Sequence, residues 1–516
     1  MAGGVIADGR PLRLNARDPE RASRERFDLV IVGGGIYGAM IALEAVRRRM
    51  RPLVLERGDF ASATSFNSLR IIHGGLRYLQ SADLGRYVKS ARETAWFLDQ
   101  FPDMAQPLPV LMPLYGEGLR RRSVFRCALA ANDILSRIAI GAATTSQWPL
   151  RGRTISAEQT RVLAGAVDPM GLEGGAVWHD AFMPRAPLLV IEVLRWACHG
   201  GATALNYVEA TKVVRADDRT STVIAHDRIA DRRLEFSADV VVNAAGPWAA
   251  TLAQAAGVAP GSLPCLSLAW NLVLRRRAPF DHAIAVKPPP KGAQTYFLVP
   301  WKGALLAGTG HAPWHGGPDN PTVPQALLES FIDDINHALP GFDLRTAEVA
   351  HIFSGLLPAQ SPGGHELAKR CVVVDHRRGG EPRLISVSGV KFTEAREVAD
   401  RVLRLAFPAR NAIPYAAFRR PAACTAPDYD FMWMPEASDA SWLEPLREIV
   451  EREPVERLED LLLRRSSLGD DPDRAAALAP RLCGLFDWDA GRIAEELAVL
   501  RRPSTTPARG AEIDAA

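Results

Sequence analysis

The sequence predicts a mixed α/β (α+β) fold in three parts. These are a Rossmann-like nucleotide-binding unit, a unit built on a mixed, mostly antiparallel sheet, and a small helical unit at the C-terminal end. Three observations carry this reading. Strand, glycine turn and helix follow one another at residues 27–49, 239–255 and 384–405. Short β-prone segments crowd residues 264–311. From Trp442 to Arg502 only helical periodicity remains.

The first of these units is the most informative. Phe27-Asp-Leu-Val-Ile-Val32 is a strand pattern that runs straight into Gly33-x-Gly35-x-x-Gly38 and a helix to Arg49. Gly33 permits the tight turn, Gly35 lets the backbone approach a pyrophosphate, and Gly38 lets helix and strand pack closely. The helix N-terminus presents free N–H groups and a positive dipole end to the phosphates. A second strand, Pro52–Leu55, leads to Glu56, placed about 20 residues on to accept hydrogen bonds from an adenosine ribose. This stretch predicts a bound dinucleotide and leaves FAD and NAD both open.

The chain has 516 residues, too many for one ordinary core, so two or three domains are expected. It is 47% hydrophobic and 23% charged, a globular composition. The net charge of +3, from 62 basic and 59 acidic residues, argues against a nucleic-acid partner. Six cysteines (Cys127, Cys198, Cys265, Cys371, Cys424 and Cys483) form no CxxC pair, which suits a reducing compartment and predicts no metal site. Residues 1–26 are polar and Arg-rich without an apolar signal core, so they read as a mobile tail. No apolar run reaches the roughly 18 residues a spanning helix needs; Cys127–Ala143 is too short and is interrupted by Asp133 and Arg137. A cytoplasmic location is expected, with a peripheral membrane contact and a homodimer left open.

The remaining elements follow in order. Arg57–Ser68 is a small-polar loop whose hydroxyls and backbone suit phosphate or ring polar atoms. Arg70–Leu79 packs two cations, His73 and a Gly-Gly pair into ten residues, unusual for core. Leu84–Phe101 and Val124–Ile140 read as helices, Pro107–Pro113 as extended, and Ser156 as a helix cap. Gly175–Asp180 reads as a strand, and Pro187–His199 as a helix stopped by Gly200-Gly201. Val208–Phe236 alternates as strands around Asp217-Asp218, and Asp239–Asn243 is a buried strand entering a Gly-Pro turn. Leu266–Leu274, Gln294–Val299 and Leu305–Thr309 build an antiparallel sheet that Val349–Leu357 and Cys371–Asp375 continue. Leu384–Ser388 leads into a helix over Thr393–Leu405, and Pro408–Pro435 is Pro-rich. The domain expectation is a tail (1–26), two interleaved units over 27–405, a linker (406–441), a helical domain (442–502) and a second tail (503–516), disordered like the first. The nucleotide-binding unit takes about 27–100, 185–255 and 370–405; the substrate unit takes about 101–184 and 256–369.

Several of these stretches, in this order, resemble the FAD-dependent glycerol-3-phosphate dehydrogenases, within the D-amino-acid-oxidase-like flavoproteins. They are Val32–Gly38, Ala63-Thr-Ser65, Ile72-His-Gly-Gly-Leu-Arg-Tyr78, Val242–Trp248, Val299-Pro-Trp301 with Gly308-Thr309, and Gly389-Val-Lys-Phe-Thr393. Leu461–Ser466 also resembles the family's C-terminal domain. The resemblance implies FAD as cofactor, an FAD-binding Rossmann-like domain, a mixed-sheet substrate domain and a helical cap. It implies oxidation of a secondary alcohol, with hydride passing to flavin N5 and electrons going on to quinone or oxygen. By this resemblance the cofactor contacts are Gly33, Gly35, Gly38, Glu56, Arg57, Thr64 and Ser65, then Gly74, Gly75 and Leu76, then Ala245, Gly246 and Trp248, and finally Gly389, Lys391, Phe392 and Thr393.

The chemistry asks for a base and for cations. His73 is a base suited to neutral pH, with hydrogen bonding to FAD or backbone as its alternative role. Lys391 stabilises developing negative charge. Arg70 and Arg370 match basic positions near the family's substrate, where a guanidinium grips phosphate bidentately. Arg77 reads as an ion-pair partner, Trp178, Trp248 and Trp301 as packing residues, and His311 and His315 as loop residues. Two positions depart from the family. Ser354-Gly-Leu-Leu357-Pro places Leu357 where an arginine is expected, and Ala269-Trp270-Asn-Leu272 replaces a Lys-Gly-x-His stretch. Both changes make the substrate site more apolar, with Trp270 set to stack on a ring or sugar face. Two rivals stay open: an amine or amino-acid oxidase of the same superfamily, and a flavoprotein whose damaged site leaves it a binding role.

Overall fold

Strands buried on both faces must be apolar throughout, and Leu29–Val32, at the centre of the first sheet, meets that demand. In the computed structural model, which describes residues 14–501 except 117, 142–147, 289–293, 378–381 and 422–426, the strand Arg26–Val32 pairs in parallel with Pro52–Leu55 on one side and with Arg232–Asn243 on the other. Thr203–Leu205 and Leu384–Ser388 extend the parallel sheet outwards. Val372–Asp375 closes one edge antiparallel to Leu384–Ser388. The sequence read this strand as continuing the β-rich region, while the domain bounds gave residues 370–405 to the nucleotide-binding unit; it pairs within the nucleotide sheet because the chain turns back on itself after Asp375. The hairpin Val208–Arg215 and Ser221–Asp227 attaches to the first half of Arg232–Asn243. The helices Ile36–Val46, Ala186–His199 and Ala395–Ala406 pack on one another over one face.

Among the described residues the second sheet has nine strands, with Leu266–Leu274 between Val349–Pro358 and Ala304–Pro313. Tyr296–Trp301 and Ala283–Val286 follow, then Gln106–Leu114 and Gly174–Phe182. The two-residue strand Ile71–Ile72 pairs antiparallel with the end of Gly174–Phe182. The helix Gln325–Ala338 covers one face, where Leu268, Trp270, Leu272 and Leu274 meet Phe331 and Ile335. Strand alternation turns Ala269, Asn271 and Val273 to the opposite face.

The C-terminal helices Glu444–Arg452, Pro472–Cys483 and Ala490–Arg501, with the π-helical turn Asp460–Arg465, form the third part. Buried ions fasten it to the first. Asp59, three residues past Glu56 and fully enclosed, accepts from Arg464 Nε (2.6 Å), from both terminal nitrogens of Arg465 and from Asn206 Nδ2 (3.1 Å). Burial pushes the Asp59 carboxyl up, but Arg465 and Arg464 outweigh it and hold the group below its usual range. Arg195 Nε reaches Glu453 (2.6 Å) across the same seam.

Two expected loose segments are docked. Residues 14–25 include the helix Pro19–Ser23, capped by Asp18; Leu14 is buried and Arg17 pairs with Asp227. Only residues 1–13 of the expected tail lie outside the described chain, as do 502–516 at the other end. Within the Pro-rich stretch, Tyr415 stacks under Arg47 and donates to Glu44 (2.6 Å), and Phe418 stacks on Trp196. Proline content suggested a linker, but its aromatic residues dock on the helix layer.

Asp59→Ala would leave two buried guanidinium groups without their shared carboxylate. It is expected to lower unfolding free energy by about 3–5 kcal/mol. Arg21→Ala, at an exposed pair with Glu25, should change it by no more than about 0.5 kcal/mol. Chemical denaturation of both variants checks the contrast.

Candidate active site

The nucleotide cradle is a set of places where only glycine fits. A Cβ at Gly38 would lie 1.8 Å from the Gly33 carbonyl oxygen, and one at Gly33, whose φ is +110°, would lie 2.4 Å from that of Ala244. The helix Ile36–Val46 therefore begins directly at the end of the central strand, with Gly35 as its cap, a residue that has no side chain to bond the first turn. The Ile36 N–H donates to Ser65 Oγ (3.0 Å). Glu56 accepts from the backbone N–H groups of Gly34 (2.7 Å) and Gly58 (2.9 Å), and burial raises its pKa. Its carboxylate thus braces the glycine turn from the neighbouring strand end. Ala245 and Gly246 follow Asn243 beside Gly33. The Arg57 guanidinium lies 4.8 Å above the Trp248 ring, and Trp248 Nε1 donates to Asp319 (2.9 Å). An open helix start, close backbone approach, strand-end carboxylate and hydroxyl loop suit a dinucleotide pyrophosphate and ribose.

The glycine helix also builds the second half of the site. A Cβ at Gly389 would lie 2.0 Å from the Tyr37 ring. The Tyr37 hydroxyl donates to the Lys391 carbonyl (2.7 Å) and accepts from its N–H (3.3 Å). Tyr37 thereby fixes the backbone of Lys391, which caps the short 3₁₀ turn Phe392–Glu394. Lys391 Nζ sits 4.5 Å from the Tyr78 ring centroid, a cation–π contact. Burial lowers the pKa of the Lys391 amine; Glu394 opposes the shift and Arg77 adds to it.

His73, Gly74 and Gly75 leave the short strand Ile71–Ile72 and enter the helix Leu76–Gln80, which carries Tyr78. Gly75 has φ +97°, and a Cβ there would meet Ser90 at 2.9 Å. His73 is half-exposed; its Nδ1 lies 3.3 Å from Asp180 Oδ2, and its ring is 5.5 Å from that of Phe297. Thr64 donates to the Leu356 carbonyl (3.1 Å), tying the hydroxyl loop to the substrate sheet. Leu357 is half-buried on the same strand face as Gly355, whose Cβ position is 3.5 Å from Thr64. Arg370 is exposed near Asp83, whose neighbour Arg86 stacks on Tyr78.

Two predicted substrate residues lie elsewhere. Arg70 is 1% exposed, with its guanidinium 4.4 Å from the Trp301 ring and 5.2 Å from that of Phe353, and it donates to the Pro184 carbonyl (3.3 Å). Asp470 of the C-terminal part lies 4.0 Å away. Arg70 therefore anchors an interior seam rather than a substrate. Trp270 is packed against Phe331 beneath the covering helix, because its odd-even phase on the strand turns it from the nucleotide sheet. Asn271 occupies the face predicted for Trp270; it donates to the Asn67 carbonyl (2.9 Å) and accepts from Thr309 (2.8 Å). Arg77 forms no ion pair among the described residues. Tyr37, Tyr78, Asp180 and Asn271 were not predicted as site residues, although Tyr37, Tyr78 and Asn271 lie within the stretches compared with the family. His311 lies in a strand, and burial pushes its pKa down to about 4. No metal-holding cluster occurs among the described residues.

A family model for FAD dependent oxidoreductases matches residues 28–393. The chain belongs to this family. It is an FAD-dependent oxidoreductase, and FAD is the dinucleotide its cradle fits. It is 28% identical over 396 residues to a glycerol-3-phosphate dehydrogenase of Synechocystis sp., spanning 73% of this chain and 69% of the relative. It is 31% identical over 394 residues to glycerol-3-phosphate dehydrogenase 1 of Mycobacterium tuberculosis, spanning 75% and 73%. The fold is similar to that of a Bacillus halodurans glycerol-3-phosphate dehydrogenase complexed with FAD, with a TM-score of 0.71 at 20% identity over 96% of this chain and 98% of the other.

Gly38→Ala is expected to yield protein without bound FAD, since the new methyl cannot coexist with the Gly33 carbonyl at this helix position. Flavin absorbance of the purified variant, before and after adding FAD, checks this.

Proposed function

We propose that this flavoprotein oxidises a secondary alcohol of the glycerol-3-phosphate type, or a related polyol or sugar derivative, and passes the electrons to quinone or oxygen. FAD, when bound, takes up the hydride. The observation that carries the reading is His73: a half-exposed imidazole held from one side by Asp180. Its other nitrogen is left to accept the hydroxyl proton as the C–H bond is broken. Lys391, half-buried against Tyr78, stabilises in this reading the negative charge that develops on the substrate oxygen. Arg77 and Arg370 supply nearby positive charge for an anionic group on the substrate. Leu357 supplies none, which favours a substrate larger or less charged than glycerol 3-phosphate itself.

Anaerobic mixing of the holoenzyme with glycerol 3-phosphate, neutral polyols and a panel of amines tests this. Bleaching of the flavin by alcohols is expected; fast bleaching by an amine alone overturns the reading. Leu357→Arg should shift preference toward phosphate-bearing alcohols by about tenfold or more, as expected for a gained charge-assisted hydrogen bond. An unchanged ratio of kcat/KM values removes the role given to Leu357.

A quinone acceptor would lie in a membrane, and the helix Arg122–Ile140 offers a surface for one. Val124, Ile134 and Ile138 are 37%, 61% and 72% exposed along one stripe, flanked by exposed Arg121, Arg122, Arg126 and Arg137. Such a face suits an anionic bilayer surface. Among the described residues, no helix is long and apolar enough to cross a membrane. The protein should co-sediment with anionic phospholipid vesicles, and the Ile134→Glu/Ile138→Glu double variant should stay in solution. Equal sedimentation of both proteins would discard this surface.

A further inference from the structure

Asp180 and His73 face each other because of strand register. Ile71 pairs with Phe182 and Ile72 with Ala181 in an antiparallel ladder. The next pair in that register is His73 with Asp180, so the two side chains are cross-strand neighbours. Asp180 is 4% exposed, whereas the His73 side chain is 44% exposed. A buried carboxylate needs donors, and it has two. Its Oδ1 accepts from the Gly74 N–H at 2.7 Å, and its Oδ2 lies 3.3 Å from His73 Nδ1. The backbone between them is held as well: the His73 carbonyl accepts from Ser90 Oγ (2.7 Å) and Thr94 Oγ1 (3.3 Å).

We propose that Asp180 is the positioning residue for His73, holding the imidazole proton on Nδ1 so that Nε2 carries the lone pair that meets the substrate hydroxyl. An ionised carboxylate only accepts hydrogen bonds, so the ring nitrogen facing it must be the protonated one. One side chain thereby sets three things together: the tautomer, the ring plane and the Gly74 turn beside it. After the ring takes the hydroxyl proton it is an imidazolium, and the same carboxylate stabilises that charge. Asp180 itself acts only through the His73 ring and contacts no reacting atom. The role assigned to Nε2 rests on the reading of His73 as the base of an alcohol oxidation; the tautomer does not.

Asp180→Asn separates this role from simple bracing. Asparagine keeps an oxygen for the Gly74 N–H but presents an amide N–H to His73, favouring the opposite tautomer. Two measurements on the FAD-loaded full chain test it. In the first, protein carrying nitrogen-15 histidine is studied by long-range proton–nitrogen correlation at alkaline pH, with His73 identified by its loss in His73→Gln. The wild type should show the proton on Nδ1, and Asp180→Asn should move it to Nε2. A wild-type ring protonated on Nε2 overturns the proposal, whatever the substrate proves to be. In the second, anaerobic flavin reduction by the best alcohol should slow on the order of 10²-fold in Asp180→Asn, with FAD content and melting temperature unchanged. Asp180→Glu should restore part of the rate. In a His73→Gln background, Asp180→Asn should have no further effect. An equal further loss there means Asp180 does not act through His73. If no alcohol reduces the wild type while the Nδ1 tautomer is present, the alcohol reading fails and the assignment of Asp180 stands.

Discussion

The contact between Gly38 and the Gly33 carbonyl is the constraint on which the site depends. No side chain, not even a methyl, fits in that space. The helix that follows the first strand is therefore pressed against it, and its open end lies at the sheet's carboxyl edge. The same approach brings Tyr37, one residue before Gly38, against Gly389, and Tyr37 then holds both backbone polar groups of Lys391. A local packing rule about one glycine thus places a lysine more than 350 positions away in the chain. The glycine cradle and the position of Lys391 are two consequences of one helix–strand contact.

A second constraint joins the parts. The chain between Glu56 and Ser68 touches everything. Glu56 braces the glycine turn, Asp59 binds the C-terminal arginines, Thr64 bonds to the substrate sheet, and Ser65 meets the helix start. Arg70, just beyond it, lies buried between Trp301 and Phe353 near Asp470. Buried charges of this kind are strongly destabilising when one partner is removed. The helical part is accordingly fastened to the segment that carries Glu56, the acid that braces the glycine turn.

The parts of the site that were legible in the sequence are those set by local rules. Glycine spacing, strand-to-helix order and the acid after Pro52–Leu55 need only near neighbours to be understood, and they predicted a bound dinucleotide. The rest depends on phase and long-range pairing. Trp270 and Asn271 exchange roles through a single step of strand alternation, because a one-residue shift exchanges the two faces. Ile71–Ile72 is too short to announce itself as a strand, so its register with Asp180 could not be seen. Arg70 looked like a substrate cation because a lone arginine gives no sign of the aromatic residues that enclose it. Val372–Asp375 read both as a continuation of the nearer sheet and, by the domain bounds, as part of the nucleotide-binding unit; antiparallel pairing with Leu384–Ser388 puts it in the nucleotide sheet. The Pro-rich stretch looked like a linker until Tyr415 and Phe418 found partners among the first helices.

The role proposed for His73 is to remove the hydroxyl proton of an alcohol whose hydride passes to FAD. It is tested most directly by the rate of anaerobic flavin reduction with an alcohol deuterated at its carbinol carbon, in wild type and in His73→Gln. A primary isotope effect in the wild type is predicted, with His73→Gln slower on the order of 10²-fold at unchanged FAD content. Reduction of His73→Gln at the wild-type rate would contradict the account.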